Sequence, residues 1–541
     1  MQCRPYSLAG LARPATLVLN LLGMAALAGI VGACGGDQGG ADDAPVASAA
    51  AEPQPIGAGD SRLKAAASPD VAEAAQPPDH AANDLPAPAG APATRNLVRS
   101  ANPSGFAATF SLSGVIDRSG PFFQSLGSNG RSCASCHVQE EGWSITPAGV
   151  RQRFESTRGL DPIFRVNDGS NSPLADVSSL QSRRDAFSML LRKGLIRVGI
   201  GIPENAEFVL QAVDDPYGFA SEKELSLFRR PLPSTNLKFL STVMWDARKT
   251  LVDPASADCV RNTTNCFATI HFDLSDQADG ATTGHAEAAE SLDLAQREAI
   301  VAFETGLFTA QVSDHKAGAL DARGARGGPV ALSQEQFYFG INDTLVGDYR
   351  TNAPFTATVM TLYDAWVDGS SGDVNGRRSG GTAGARAAIA RGQTLFNSKS
   401  IAIRGVKGLN DDLQVDTLNG TCTTCHNAPN AGNHSIPMPL DIGVSDAAVR
   451  SPDMPLYTLR NKTTGETVET TDPGRALVTG KWNDIGRFKG PTLRGLAGRA
   501  PYFHNGSAAS LEETVAFYDK RFGMGLTQAE IDDLAAFLRA L

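Results

Sequence analysis

The 541-residue chain has no basic excess, and it is poor in cysteine and histidine, with eight of each. Its 48 Lys and Arg stand against 58 Asp and Glu, a formal net charge of -10. That balance argues against nucleic acid as a partner and suits docking of a basic protein. Residues 35–100 hold few large apolar side chains. This Ala/Pro/Gly/Asp-rich tract cannot bury enough surface to offset the entropy of ordering, so it reads as a disordered tether. Elsewhere the composition is ordinary for a globular protein, 42% hydrophobic and 20% charged, and the length allows two or more domains with sizeable cores.

The first residues explain where the cysteines live. Arg4 and Arg13 precede an uncharged apolar run from Ala15 to Ala33, the pattern of an export signal. Val31-Gly32-Ala33-Cys34 resembles the bacterial lipoprotein cleavage box, against the alternative of a plain signal peptide cleaved nearby. Residues 1–33 are then the signal, Cys34 is the lipidated first residue, and residues 34–100 are the tether. Gly35, rather than Asp, points to the outer membrane, with the folded part in the periplasm. Cys259 and Cys266, in "DCVRNTTNCF", are expected to form a local disulfide in that oxidising compartment.

Four cysteines remain, in "GRSCASCHVQEEGW" and "TCTTCHNAPN". Each segment is a C-x-x-C-H: Cys133, Cys136 and His137, then Cys422, Cys425 and His426. Covalent c-type haem needs two thiols placed to meet its two vinyl groups and an adjacent His that reaches the iron. A dithiol redox motif needs no His, and a zinc site needs further ligands that neither neighbourhood supplies. The reading is two haems c, with His137 and His426 as proximal iron ligands. Each imidazole requires an acceptor for its other nitrogen.

Helical patterns flank the motifs. "ARAAIARGQTLF" (385–396) precedes the second, and "LTQAEIDDLAAFLRAL" opens with a Thr527/Glu530 capping box and places Ile531, Leu534, Phe537, Leu538 and Leu541 on one stripe. "LDLAQREAIVAFETGLF" (292–308) reads as an amphipathic helix with Leu294, Ile300, Val301, Phe303, Leu307 and Phe308 towards a core. "LIRVGIGIPENAEFVLQAV" (195–213) reads as a β-hairpin turning at "PENA". The expected fold is mainly α: two tandem cytochrome c-like haem domains, residues 101–375 and 376–541, with loop and hairpin insertions, and a boundary in the Gly-rich stretch at 366–385.

Beyond the motifs, residues 105–541 resemble the bacterial di-haem cytochrome c peroxidases and their relative MauG, a di-haem enzyme that completes a tryptophan-derived quinone cofactor in another protein. The segments that carry the resemblance are "FKGPTLRGLAGRAPYFHNGSAASLEETVAFY" (488–518) and "RRPLPSTNLKFLSTVMWDAR" (229–248). It implies that Trp245 relays electrons between the haems and that His504 lies near the haem propionates. Tyr518 would be the sixth ligand of the second haem, with His434 and Met438 as competitors for that position.

The family's distal glutamate has no counterpart in register within "DQADGATTGHAEA", so His285 is the expected acid/base and Glu287 the reserve. No His falls between His137 and His271 to block the first iron. The family's calcium is in doubt, because its asparagine ligand is replaced by Pro231. Arg499 stands where a guanidinium can take over the ion's charge.

The resemblance implies reduction of hydrogen peroxide by electrons from a small periplasmic cytochrome c or cupredoxin, entering at the C-terminal haem. Alternatives are oxygenation of an apolar substrate, as in the related di-haem rubber oxygenases, MauG-like oxidation of a protein, or pure electron transfer.

Overall fold

The computed structural model describes residues 96–250, 263–367 and 380–541, with the backbone alone at 263–269. The segments expected to be signal (1–33) and lipid anchor (Cys34), nearly all of the expected tether, the side chains of Cys259 and Cys266, for which a disulfide is expected, and most of the Gly-rich boundary stretch lie outside the described residues.

The described chain opens with strands Leu97–Asn102 and Gly105–Ser111, an antiparallel hairpin in register from Leu97↔Phe110 to Asn102↔Gly105. The second strand pairs on its other edge with Leu307–Asp314, placing Phe110 opposite Phe308, and Gly318–Ala319 completes a four-stranded sheet. Around the first motif, helix Pro147–Thr157, capped by the Thr146 hydroxyl, packs on Ser188–Lys193. Helices Thr263–His285 and Leu294–Thr305 pack together over the motif, the second opening with a reciprocal Asp293/Gln296 cap.

Around the second motif, helices Gly381–Ser398 and Gln528–Arg539 cross tightly, burying Leu534, Phe537 and Leu538 against Ile389, Ala390 and Phe396. Gly392 permits the approach, since a Cβ there would collide with the Asp533 carbonyl oxygen and with Phe537 Cβ. The Thr527/Glu530 capping box forms, and Arg391 grips Asp533 through two 2.8 Å hydrogen bonds. Helix Leu511–Phe522 packs alongside the terminal helix.

The fold is not mainly α. Ten α-helices share the described residues with eleven strands in four sheets. The sequence reading marked the β-rich runs within 195–213 but underestimated the strand content, in part because two of the sheets join segments far apart along the chain. Phe208–Asp214 pairs with Leu456–Asn461, which pairs with Thr467–Thr470, and Ile196–Ile200 pairs with Leu225–Arg229.

The expected hairpin at 195–213 does not exist for the same reason: its two runs join different sheets. "PENA" offers no residue at positive φ for a tight turn, and a Cβ on Gly201 would collide with the carbonyl of Lys223, in the turn that leads into the returning strand Leu225–Arg229. The 292–308 segment also divides. Its helix stops at Thr305, Leu307 and Phe308 begin a strand, and Leu294 is exposed.

Candidate functional site

Each motif folds as one tight helical turn. Cys133–Ser135 is held by a Ser132/Ser135 box and Cys422–Thr424 by a Thr421/Thr424 box. The turns bring each cysteine pair and the following His to one wall. The His137 Nδ1–H donates to the Trp143 carbonyl at 3.1 Å, and the His426 Nδ1–H donates to the Gly432 carbonyl at 2.6 Å, each acceptor six residues on. Both acceptors lie in the left-handed region, Trp143 at φ 60° and Gly432 at φ 74°. A β-carbon is strained there, so Trp143 is kept by its burial and by its indole N–H bond to the Thr109 hydroxyl. With Nδ1 engaged, Nε2 of each ring is left as the free lone pair, the arrangement that a metal-ligating His requires. Burial lowers the His137 pKa to about 4 and lowers that of His426, so both rings are neutral near pH 7.

Each motif opens on its own cavity. Cys133, Cys136 and His137 line the first with His285, Leu237, Leu240, Leu274 and Glu304. Cys422, Cys425 and His426 line the second with His434, Met438, His504 and Tyr518. Trp245, Arg230 and Lys489 line both, together with Pro231, Leu232, Pro233 and Pro491, and form the partition.

That partition tests the fit of a haem. Arg230 is buried and donates only to the carbonyls of Lys193, Ile145 and Arg499. Arg499 donates to Gly495, Thr492 and Arg494 carbonyls. Burial lowers both guanidinium pKa values to about 10 and that of Lys489 to about 8. Among the described residues no carboxylate forms an ion pair with these three cations, although Glu141 lies near enough to act on Arg230, and buried cations so placed call for an anion inside the cavities. The propionates of a haem c, tethered at the cysteines, supply it, and the residues present fit the group.

The other expected site residues fall as follows. The Trp245 indole N–H donates to the Arg230 carbonyl at 2.8 Å, and Met244 and Ala247 on either side sit at φ 69° and 56°. Asp246, next to Trp245, is buried between Arg229 and Arg248, which outweigh the penalty of burial and hold its carboxyl below the usual range. His504 is stacked on Phe488 with centroids 4.1 Å apart and stands edge-on to Trp245 at 6.2 Å. Its two ring nitrogens lack hydrogen-bond partners, and burial lowers its pKa to about 4.

Tyr518, His434 and Met438 all face the second cavity. His434 Nδ1 is engaged by the Ile436 carbonyl while Nε2 is buried without a partner. His285 closes the Thr263–His285 helix, with Nδ1 on Asp168. Glu287 is exposed and absent from the lining of the first cavity. Where calcium was in question, the Arg499 guanidinium occupies backbone carbonyls, and the Pro231 carbonyl accepts from Ser144 Oγ at 2.7 Å.

Sequence reading missed Glu304. Its side chain is buried in the wall of the first cavity, with Oε2 lacking a hydrogen-bond partner, and burial raises its pKa to about 8. The available signal was its place one turn after Ile300, on the stripe that Ile300 and Val301 bury.

No protein-family model matches the chain. Cytochrome-c peroxidase IdrP1 of a Pseudomonas species is 30% identical over 171 residues, 28% of this chain and 39% of that protein. Cytochrome-c peroxidase IdrP2 of Denitromonas iodatirespirans is 28% identical over 197 residues, 32% and 52% of the two chains. Cytochrome c551 peroxidase of Nitrosomonas europaea is 30% identical over 159 residues, 28% and 41%. The matched region thus spans 39% to 52% of the length of these three relatives. A solved structure of a MauG-like protein associated with microbial copper homeostasis covers 78% of this chain and 85% of its own at 17% identity, with a TM-score of 0.32, too loose an overlay to carry an argument. Two C-x-x-C-H turns, each opening on a cavity, thus stand in a chain that is similar, over 28% to 32% of its length, to three bacterial cytochrome c peroxidases.

Proposed function

We propose that the chain is a peroxidase-type oxidoreductase that reduces hydrogen peroxide with electrons from a small periplasmic redox protein. The observation that carries this reading is the partition: a single indole, Trp245, borders both motif cavities. Haem c, when bound, supplies the iron at which the O–O bond is cleaved and the oxidising equivalents are held.

The chain supplies the rest. His137 and His426 would hold iron through Nε2, their rings fixed by the Trp143 and Gly432 carbonyls. Tyr518, which lines the second cavity, would be a further ligand to the iron held there. Arg230, Lys489 and Arg499 would hold the haem carboxylates, with His504 on the same cavity wall. Trp245 passes electrons from the second cavity to the first. Its carbonyl is tied to Lys489 N–H and its ring to Arg230, so its position is fixed by both walls. His285 takes the first proton of hydrogen peroxide and returns it to the departing oxygen, so that two protons and two electrons yield two waters. The acidic surface suits a basic donor, a small cytochrome c or a cupredoxin, and the Cys34 anchor would place the enzyme on the periplasmic side of the outer membrane.

A second reading, oxygenation of an apolar substrate, draws on the Leu237, Leu240, Val243 and Leu274 cluster beside the first motif. Stopped-flow absorbance of the ferric protein with one equivalent of hydrogen peroxide tests both. A rapid change reversed by a reduced small cytochrome supports the peroxidase. A long-lived oxidised state supports oxidation of another protein, and no reaction removes the peroxidase reading.

A further inference from the structure

The environment of His285 is built rather than incidental. Its Nδ1–H donates to Oδ2 of Asp168, and the other oxygen of that carboxylate, Oδ1, accepts from Arg131 Nη1. Arg131 Nη1 also donates to the His285 carbonyl at 3.1 Å, closing a ring of three residues, and Asn129 Nδ2 donates to the same carbonyl at 2.9 Å. Asp168 and Arg131 are 6% and 3% exposed, whereas the His285 side chain retains 39% of its surface. All three border the first cavity. Arg131 is itself anchored by the Pro162 and Ile163 carbonyls at 2.8 and 2.7 Å, and the Asp168 carbonyl accepts from Arg197 N–H at 2.7 Å. The carboxylate is thus fixed by its main chain and by its guanidinium partner, and the imidazole is the movable member.

We infer that Asp168 is a positioning residue that acts through His285, with Arg131 holding the carboxylate in place. Engagement of Nδ1 selects one tautomer and turns the other nitrogen, Nε2, towards incoming substrate. Hydrogen peroxide gives a proton to Nε2 and becomes hydroperoxide, while the imidazolium so formed is stabilised by the Asp168 carboxylate and by the C-terminal end of its own helix. As the O–O bond breaks, the departing oxygen takes the bonding electron pair and the proton from Nε2 and leaves as water; the other oxygen becomes a second water with two electrons from the reduced redox-protein donor and two protons from solvent. Among the described residues, Arg131, Arg165, Glu287, His137 and Cys136 are the other charged or titratable groups around this pair, and none of them replaces Asp168 on Nδ1.

This inference rests on the peroxidase reading for its peroxide step, so the test includes a ligand that is not a substrate. Cyanide arrives as HCN and must surrender a proton to bind, so its association rate reports the base whether or not peroxide is turned over. Asp168→Asn and His285→Ala should each slow cyanide association by about tenfold or more, the lower end of acid/base effects, with haem content and resting spectrum unchanged. In the His285→Ala background, Asp168→Asn should have no further effect, because residues that act as a unit are not additive. A second loss of similar size in the double variant would overturn the inference and leave Asp168 as a structural clamp. If Asp168→Asn does not fold, Asp168→Glu replaces it, with loss expected only when His285 is present. Intact non-additivity in a protein inert to peroxide would reject the peroxidase reading and keep the pair. Peroxide turnover with additive variants would do the reverse.

Discussion

The backbone N–H of Lys489 donates to the carbonyl of Trp245 at 2.9 Å, and both side chains border both cavities. The indole and the ammonium therefore occupy one rigid wall, although they lie far apart along the chain. A change in either side chain is felt on both sides of it.

Trp245→Phe keeps an aromatic ring but loses the indole and its bond to the Arg230 carbonyl. Reduction of the peroxide-oxidised protein by a small cytochrome should slow by roughly tenfold or more, equivalent to about 1.4 kcal/mol of barrier. The initial reaction with peroxide should be unaffected. Stopped-flow traces that recover at the wild-type rate would remove Trp245 from the electron route.

Tyr518 stacks on Phe522 with centroids 6.2 Å apart, and burial raises the pKa of its hydroxyl. Tyr518→Phe should alter the low-spin signal of the ferric protein and leave the high-spin signal alone, as read by electron paramagnetic resonance. An unchanged low-spin signal would move the assignment to His434 or Met438, which His434→Gln and Met438→Leu would then separate.

Glu304 gives a pH dependence with a definite sign. Its folded pKa is raised by burial to about 8, whereas an unfolded Glu titrates near 4.3. Between these values the folded chain holds a proton that the unfolded chain has released. Stability should therefore fall as pH rises through this window and level off above it. Glu304→Gln removes the dependence and should be more stable than wild type at the alkaline end by roughly 2–5 kcal/mol. Thermal unfolding of both proteins across the window checks this, and parallel curves would show that Glu304 is not buried as an acid.

The sequence made the local chemistry legible. Two thiols and a His at fixed spacing identify themselves, as do the Thr527/Glu530 cap and the stripe of the terminal helix, because their partners are a few residues away. The strands were not legible in the same way. Phe208–Asp214 has a β-rich sequence, but nothing in it names Leu456–Asn461 as its neighbour. Asp168 was missed for a similar reason: a lone Asp on a loop gains its meaning only when the end of another helix arrives beside it. Glu304 was hidden by its polarity, since a charged residue on an apolar stripe reads as an interruption rather than as a cavity wall.

The antiparallel pairing of Phe208–Asp214 with Leu456–Asn461 ties the order of assembly to the whole polypeptide. During synthesis, the edge of the earlier strand waits unpaired until the later one arrives, and contacts so distant in sequence form slowly. An open β-edge is a template for pairing with other chains. A fragment ending between the two motifs therefore carries a permanently sticky edge, and the two halves reach solubility together.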